Sequence, residues 1–192
     1  MVEHDDILRK ALDVIERLGL RYMIVGSVAS SLYGEPRSTV DVDIVLDLPQ
    51  GAVNEFCASF PSPDFYLEPI AVREAIRRGR QFNLLHIPTG SKIDFMALRY
   101  GTHDEIEIER RQLLPLLGDR SAYVARPEDV ILGKMEFYRQ GESEKHLRDI
   151  TGILKMSADV VDREYIQSRA VRMGLLDIWR LVLDRMKDEK LE

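Results

Sequence analysis

The sequence predicts a mixed α/β (α+β) fold followed by a helical region, and two observations carry this prediction. Up to about residue 125, short apolar runs and alternating segments typical of strands lie between helical segments. From Pro127 almost to the C terminus, apolar residues instead recur at helical spacing. We therefore expect an α/β domain over residues 1–125 and a helical region over residues 126–192.

The first part of the chain predicts the order helix, strand, helix, strand. Asp5 or Asp6 is expected to cap a first helix, and Gly19 is expected to end it. The elements that follow are a short buried strand over residues 22–25, a short helix over 27–33 and a second strand over 41–46.

A β-hairpin is the clearest signal in the middle of the chain. Residues 82–87 and 92–97 both alternate in strand fashion, and the segment 88–90, Pro-Thr-Gly, supplies the turn between them. Before the hairpin, Pro49 favours a helix that runs to Phe56. After it, residues 121–125 favour one more strand.

The C-terminal region reads as a series of helices. Pro127 opens the first of them, with two acidic residues beside it near the positive end of the helix dipole. The helical pattern then breaks near Gly141, Asp159 and Gly174. We therefore expect several consecutive helices rather than one long one.

Composition restricts the classes of function that fit. A net charge of −6 argues against a general electrostatic grip on nucleic acid. The single cysteine, Cys57, excludes an internal disulfide and a cysteine-based zinc site, and it favours a reducing, cytoplasmic location. The acidic start of the chain differs from a signal peptide, and no apolar run approaches the roughly 20 residues of a membrane span. We therefore expect no association with a membrane.

Two aspartates separated by one residue form the most informative motif. Thirteen residues lie between Ser27 and Asp41, which is followed by Val42 and Asp43. In a strand, Asp41 and Asp43 would point to the same face about 7 Å apart, where both carboxylates could bind one divalent metal ion. The alternative is a pair of solvated aspartates at the edge of a strand.

A Gly-Ser pair precedes this motif where a strand is expected to turn into a helix. Gly26 would let a phosphate group approach the backbone, and the helix N terminus would offer it free N–H groups. The Ser27 hydroxyl could add a hydrogen bond. Alternatively Ser27 only caps the helix, a role compatible with the first.

The Gly-Ser pair, the spacer and the Asp-x-Asp motif together resemble the signature of the nucleotidyltransferase superfamily. The spacer, with Arg37 and Thr39 before the aspartates, resembles that of small bacterial nucleotidyltransferases and of AbiEii-like abortive-infection toxins. Residues 126–134, which end in Lys134, and residues 145–150, which include Asp149, look like two further segments of that toxin family. The resemblance implies a nucleotidyltransferase-like mixed sheet with flanking helices. Ser27 departs from the commoner second glycine, which the superfamily tolerates.

Three carboxylates are implied as catalytic residues and metal ligands. By this resemblance Asp41, Asp43 and Asp94 hold Mg²⁺ (or Mn²⁺), and Asp94, on the second hairpin strand, can take the proton of the acceptor hydroxyl. Alternatively, Asp94 is an exposed residue on the outer face of the hairpin. Asp47 and Asp64 are rivals for the third position, at a strand end and in a Pro-rich loop respectively.

A second set of residues is expected to bind the nucleotide. Arg37 could contact the triphosphate or pair with a local acid. Lys134 is expected to be partly exposed and to face the nucleotide in a cleft between the α/β domain and the helices, or else to be a surface lysine. Asp149 would orient the nucleotide, or belong to a surface ion pair. The complete set consists of Gly26, Ser27, Arg37, Thr39, Lys134 and Asp149.

Other polar residues are expected to play no catalytic part. His86 and Lys92 flank the hairpin turn, and although each could contact substrate, a packed histidine and a solvated lysine are expected. A basic cluster on a predicted amphipathic helix could seat an RNA acceptor, but a solvated helix face is the alternative. That cluster comprises Arg73, Arg77, Arg78 and Arg80.

The expected function is Mg²⁺-dependent transfer of a nucleotidyl group from a nucleoside triphosphate (NTP) such as ATP, with release of pyrophosphate. The acceptor could be tRNA or another RNA, a protein or a small molecule. The AbiEii resemblance favours a toxin-like role in a toxin–antitoxin or phage-defence system, with an antitoxin-type protein partner. The alternatives are an antibiotic-modifying nucleotidyltransferase, which predicts an acidic acceptor pocket in the C-terminal region, and a non-catalytic binding or antitoxin module.

Overall fold

The computed structural model of the chain describes residues 2–36 and 41–188. Packing divides the chain into two compact units, each of which comprises two separate segments of the sequence. The first, called the sheet unit here, comprises Met1–Val28 and Ser38–Ala125. The second, the helical unit, comprises Ala29–Arg37 and Arg126–Glu192.

The chain as far as the hairpin alternates between helices and strands. The elements, in order, are α1 (Val2–Arg17), β1 (Arg21–Val25), α2 (Gly26–Tyr33), β2 (Val42–Asp47), a 3₁₀ turn (Gln50–Ala52), α3 (Val53–Ala58), β3 (Phe65–Tyr66), α4 (Pro69–Arg78), β4 (Gln81–His86) and β5 (Ser91–Ala97). They are followed by α5 (His103–Arg110), β6 (Gln112–Leu117) and β7 (Arg120–Val124).

The strands of the described residues form one mixed sheet in the order β3-β4-β5-β2-β1-β7-β6. β4 and β5 form the predicted antiparallel hairpin, β1 and β2 are also antiparallel, and β2 runs parallel to β5. A mixed α/β fold is therefore confirmed. The parallel pairing places β2, which follows the Gly-Ser segment, directly beside the second strand of the hairpin.

One face of the central strands carries the hydrophobic core of the sheet unit. Ile44, Phe95 and Leu84 are fully buried on this face of β2, β5 and β4. The Phe56 ring of α3 makes edge contacts with Phe95 and Phe82, at centroid distances of 5.6 and 6.4 Å. Because side chains alternate along a strand, the residues between these apolar positions point to the opposite face.

Two predicted helix starts differ from the observed ones. α1 begins at Val2, so Asp5 and Asp6 lie inside the helix and neither caps it. No glycine or proline precedes Asp5, so nothing in the local sequence prevents the helix from starting a turn earlier. After Pro49 the chain first makes a 3₁₀ turn at Gln50–Ala52 and only then enters α3.

Three elements of the sheet unit escaped the sequence prediction. β3 is two residues long, and α5 is a highly charged helix whose N-cap, Thr102, accepts a hydrogen bond from Asp104 N. β6 contains Pro115, which cannot donate to a strand ladder, and the strand lies at the edge of the sheet where proline is tolerated.

The helical unit contains four helices after residue 125 in the described part of the chain: α6 (Pro127–Gly141), α7 (Glu144–Met156), α8 (Arg163–Met173) and α9 (Leu176–Asp188). The breaks between them fall where the sequence predicted them. Leu132, Ile150, Ile166 and Trp179, one from each helix, are buried in its core. No helix in the described ranges has both the length and the apolar character needed to cross a bilayer.

Candidate active site

The order of the central strands brings Asp43 and Asp94 side by side. Asp43 lies opposite Asp94 in the parallel β2–β5 pair, and on its other side it lies opposite Val25 of β1. Register partners in adjacent strands point to the same face, and adjacent strands are about 4.8 Å apart. Both carboxylates therefore lie on the face opposite the aromatic core.

Asp94 is almost completely buried, with 7% of its surface exposed. Lys92 Nζ donates to Asp94 Oδ2 over 2.9 Å. With its amide nitrogen turned toward the carboxylate, Asn83 of β4 donates to Asp94 Oδ1 over 3.1 Å. The alternative that Asp94 is an exposed residue of the hairpin is therefore wrong.

Asp41 directly precedes β2 and is exposed. Lys92 Nζ lies 3.7 Å from Asp41 Oδ1, so one ammonium group contacts both Asp41 and Asp94. The hydrogen bond to Asp94 is the main cause that raises the pKa of Lys92 above its ordinary value. The expectation of a merely solvated lysine is therefore wrong, because Lys92 is a charged member of the carboxylate cluster.

Gly26 lies against the Asp43 carboxylate. A Cβ atom added at Gly26 would overlap Asp43 Oδ2 and lie 2.7 Å from Asp43 Cγ. The φ angle of Gly26 is also +63°, a backbone conformation that other residues rarely adopt. Both features require glycine here. Because Gly26 is the first residue of α2, the start of this helix lies beside the aspartate cluster, with half-buried Ser27 in its first turn.

The donor set fits a hard divalent cation. Asp41, Asp43 and Asp94 offer carboxylate oxygens, the ligands that Mg²⁺ and Mn²⁺ prefer. Like charges so close together require a positive partner. The Lys92 ammonium group already supplies one positive charge to Asp41 and Asp94.

The two rival carboxylates lie outside this cluster. Asp47 Oδ2 accepts from Arg21 Nε and Nη2 over 3.0 and 2.7 Å, and its Oδ1 accepts from the Tyr100 hydroxyl over 2.5 Å. Asp47 is thus already neutralised by Arg21. Asp64 is exposed, and its backbone carbonyl accepts from Ile87 N before the hairpin turn.

Lys134 and Asp149 form an ion pair with each other inside the helical unit. Lys134, on α6, is only 4% exposed, and the Asp149 side chain, on α7, is 8% exposed. Lys134 is therefore neither partly exposed nor a surface lysine, and the pair is not a surface ion pair. The periodicity places both residues on helices, but it does not show that the two helices pack with these side chains facing each other.

The remaining predicted residues fall into two groups. Arg37 and Thr39 lie outside the described residues. The basic cluster lies on or just after α4, where Arg77 and Arg78 both pair with Glu74 and Arg73 donates to Asn54 Oδ1 over 2.6 Å. These contacts favour the alternative of a solvated helix face.

Sequence reasoning missed two members of the cluster, Asn83 and Lys92. The alternation of the hairpin put Lys92 on the same face as Asp94, and this was a usable signal. Asn83 becomes identifiable only once the hairpin register is known, because it lies directly opposite Asp94 on β4.

Comparison with known proteins adds information on the fold alone. No family model matches the chain, and no match was found among curated proteins. Among solved structures, an antigenic nucleotidyltransferase-like protein from Paracoccidioides brasiliensis is similar, with a TM-score of 0.61 and 20% identity over 97% of this chain and 92% of that chain.

Two further structures are similar at lower scores. The antibiotic-resistance factor ANT(2'')-Ia has a TM-score of 0.53 and 13% identity, and the match covers 98% of this chain and 97% of that one. JHP933 from Helicobacter pylori has a TM-score of 0.52 and 16% identity, with 100% and 81% coverage. The chain therefore has a nucleotidyltransferase-like fold.

Proposed function

We propose that the protein is a Mg²⁺-dependent nucleotidyltransferase that uses Asp41, Asp43 and Asp94. The observation that carries the proposal is the register of the central strands. In this register Asp94 lies beside Asp43, and Lys92 contacts both Asp94 and Asp41. Gly26 brings the start of a helix against the same carboxylates. A solvated strand edge has no reason to combine these features.

The residues of the cluster divide the work of the proposed reaction. Asp41, Asp43 and Asp94 would hold Mg²⁺ or Mn²⁺, which neutralises phosphate charge when bound. Gly26 lets the Asp43 carboxylate lie against the first turn of α2, and the N–H groups and Ser27 hydroxyl of that turn can donate to a phosphate group.

Asp94 is the proposed general base. It would accept the proton of an acceptor hydroxyl as that oxygen attacks the α-phosphorus. The bond between the α-phosphorus and the bridging oxygen then breaks, and pyrophosphate leaves with that oxygen. Hydrogen bonds from Asn83 and Lys92 fix the orientation of the Asp94 carboxylate before substrate arrives.

The more specific assignment, an AbiEii-like toxin, rests on the sequence segments that contain Lys134 and Asp149. We propose that these two residues, with Arg37 and Thr39, contribute to binding of an NTP such as ATP in the cytoplasm. This assignment predicts that expression arrests cell growth, that Asp43→Asn abolishes the arrest, and that an antitoxin-type partner relieves it.

An antibiotic-modifying nucleotidyltransferase is the second candidate, because the chain shares its fold with ANT(2'')-Ia, one structure of which holds adenylyl-2''-tobramycin. A cationic drug would need an acidic acceptor pocket. A pocket within the helical unit is instead lined by two arginines, Arg148 and Arg185, and one glutamate, Glu144. Leu147 and Thr151 complete its lining. This lining does not favour a cationic acceptor.

The experiment that tests the proposal uses nucleotides labelled at either end of the triphosphate. Each NTP, carrying label on the α- or γ-phosphate, is incubated with the protein, Mg²⁺ and either total RNA, a protein extract or candidate antibiotics. If the protein transfers nucleotidyl groups, an acceptor takes the α-label and never the γ-label. With the Asp43→Asn variant, no acceptor takes either label.

Transfer of the γ-label would contradict nucleotidyl transfer and indicate phosphoryl transfer. Binding of metal and NTP without transfer to any fraction would favour the non-catalytic module. Retention of all three carboxylates argues against that module, since it would have no need of a general base.

A further inference from the structure

The position of the Lys92 ammonium group has a consequence for metal binding beyond the orientation of Asp94. Its ammonium group lies 2.9 Å from Asp94 Oδ2 and 3.7 Å from Asp41 Oδ1, within the carboxylate cluster where a metal ion would bind. An ammonium group and a divalent cation cannot both make full use of the same oxygens, because the two positive charges repel each other. Binding of metal must therefore weaken or break the contacts of Lys92.

We propose that Lys92 is a positioning residue that competes with the divalent metal and makes metal binding depend on the nucleotide. This inference rests on the proposed function. Without nucleotide, Lys92 neutralises Asp41 and Asp94 and weakens their attraction for metal. When an NTP enters with the metal, its phosphates supply a new anionic partner for the displaced ammonium group.

The surroundings of Lys92 suit this exchange. Its side chain is 40% exposed, so the ammonium group can move outward without crossing packed side chains. A lysine is a flexible chain that ends in a compact charge, and it can change partners in a way that the rigid fork of an arginine does not. Asp94 keeps its hydrogen bond from Asn83 when Lys92 leaves, so its orientation is retained.

The consequence is a coupling between two ligands that share one site. If Lys92 must be displaced, metal alone binds weakly and the metal together with a triphosphate binds tightly. By linkage, the factor by which nucleotide improves metal affinity equals the factor by which metal improves nucleotide affinity. Removal of the Lys92 charge should lower this factor by strengthening the binding of metal alone.

The test measures Mn²⁺ binding by electron paramagnetic resonance, with and without the α,β-methylene analogue of ATP, which cannot donate its nucleotidyl group. Without nucleotide, Lys92→Met should bind Mn²⁺ at least about ten-fold more tightly than wild type does, because a nearby positive charge has been removed. Its coupling factor should fall on the order of ten-fold. Lys92→Gln replaces Lys92→Met if the latter does not fold.

Two control variants separate charge from other effects. Lys187→Met removes an exposed lysine that pairs with Asp184, and it should leave Mn²⁺ affinity unchanged. Lys92→Arg keeps the positive charge and should bind Mn²⁺ no more tightly than wild type.

The outcomes distinguish this inference from the proposed function. If Lys92→Met binds Mn²⁺ alone with wild-type or weaker affinity, Lys92 does not compete with metal and the inference is overturned, while the carboxylate site stands. The same holds if Lys92→Arg tightens Mn²⁺ binding as much as Lys92→Met does. If Asp43→Asn binds Mn²⁺ and the analogue as wild type does, the site itself is wrong and both proposals fail.

Discussion

At the scale of single residues, the contact between Gly26 and Asp43 explains most about the candidate site. Asp43 lies between β1 and β5, and its carboxylate occupies a position that is open only because residue 26 has no side chain. Gly19 provides a matched comparison. It has nearly the same φ angle, +64°, but an added Cβ there would meet nothing within 4 Å.

Gly26→Ala should therefore damage the site more than Gly19→Ala does. Both variants should lose about 1–2 kcal/mol of stability, because alanine is strained at positive φ. Only Gly26→Ala should also displace the Asp43 carboxylate and reduce metal-dependent NTP binding at least about ten-fold. Thermal unfolding measures the loss of stability, and calorimetric titration measures the loss of NTP binding. Equal NTP binding by both variants would show that the position of the Asp43 carboxylate against Gly26 is not needed for binding.

The second prediction at this scale concerns Asp94. Asp94→Asn keeps the size of the side chain but removes the proton acceptor. If Asp94 is the general base, NTP binding should remain largely intact while the rate of transfer falls by about 10² or more. Single-turnover kinetics with the α-labelled nucleotide measure the step. A rate within a few-fold of wild type would remove Asp94 from the catalytic residues.

At the scale of elements, α6 and α7 are joined by a buried charge pair. Little water reaches the side chain of Lys134 or Asp149, so each charge offsets part of the cost of burying the other. A partly exposed lysine, as the sequence predicted, would contribute little to stability, whereas the observed burial of Lys134 implies a large contribution.

Lys134→Met should accordingly destabilise the folded protein by about 3–5 kcal/mol, because it removes the ammonium group that pairs with the buried Asp149 carboxylate. The double variant Lys134→Met with Asp149→Leu should recover most of that loss. The matched control, Lys187→Met, breaks an exposed pair and should cost at most about 1 kcal/mol. Chemical denaturation without nucleotide measures the free energy of unfolding of all three variants. A loss below 1 kcal/mol for Lys134→Met would show that the pair contributes little.

Elements were predictable where the signal is local. The hairpin alternation and the Pro127 helix start depend on neighbouring residues, and both were predicted at close to their observed bounds. The parallel register of Asp43 with Asp94 joins strands far apart in the sequence, and no local pattern specifies it. The contact of Lys92 with Asp41 and the pairing of Lys134 with Asp149 depend on such long-range packing, so they were missed, whereas the strand alternation alone placed Lys92 beside Asp94.

At the scale of the whole molecule, fold and function have different support. The nucleotidyltransferase-like fold follows from the mixed sheet and from similar structures with 13–20% identity. Similarity at that level does not carry over an activity. The function therefore rests on the chemistry of the carboxylate cluster, within a chain whose net charge of −6 gives no general attraction for a triphosphate. Positive charges within the site, from the metal ion and from lysine side chains, must therefore offset the repulsion between the acidic protein and the triphosphate.

Metal-dependent binding of a triphosphate tests the central claim most directly. Wild-type protein is titrated by calorimetry with the α,β-methylene analogue of ATP, in the presence of Mg²⁺ and then in the presence of a chelator. We expect binding with Mg²⁺, little or none with the chelator, and loss of the Mg²⁺-dependent binding in the variant that combines Asp41→Ala with Asp43→Ala. Equal binding of Mg²⁺ and analogue by that variant, in a protein that still unfolds cooperatively, would contradict the assignment of the site.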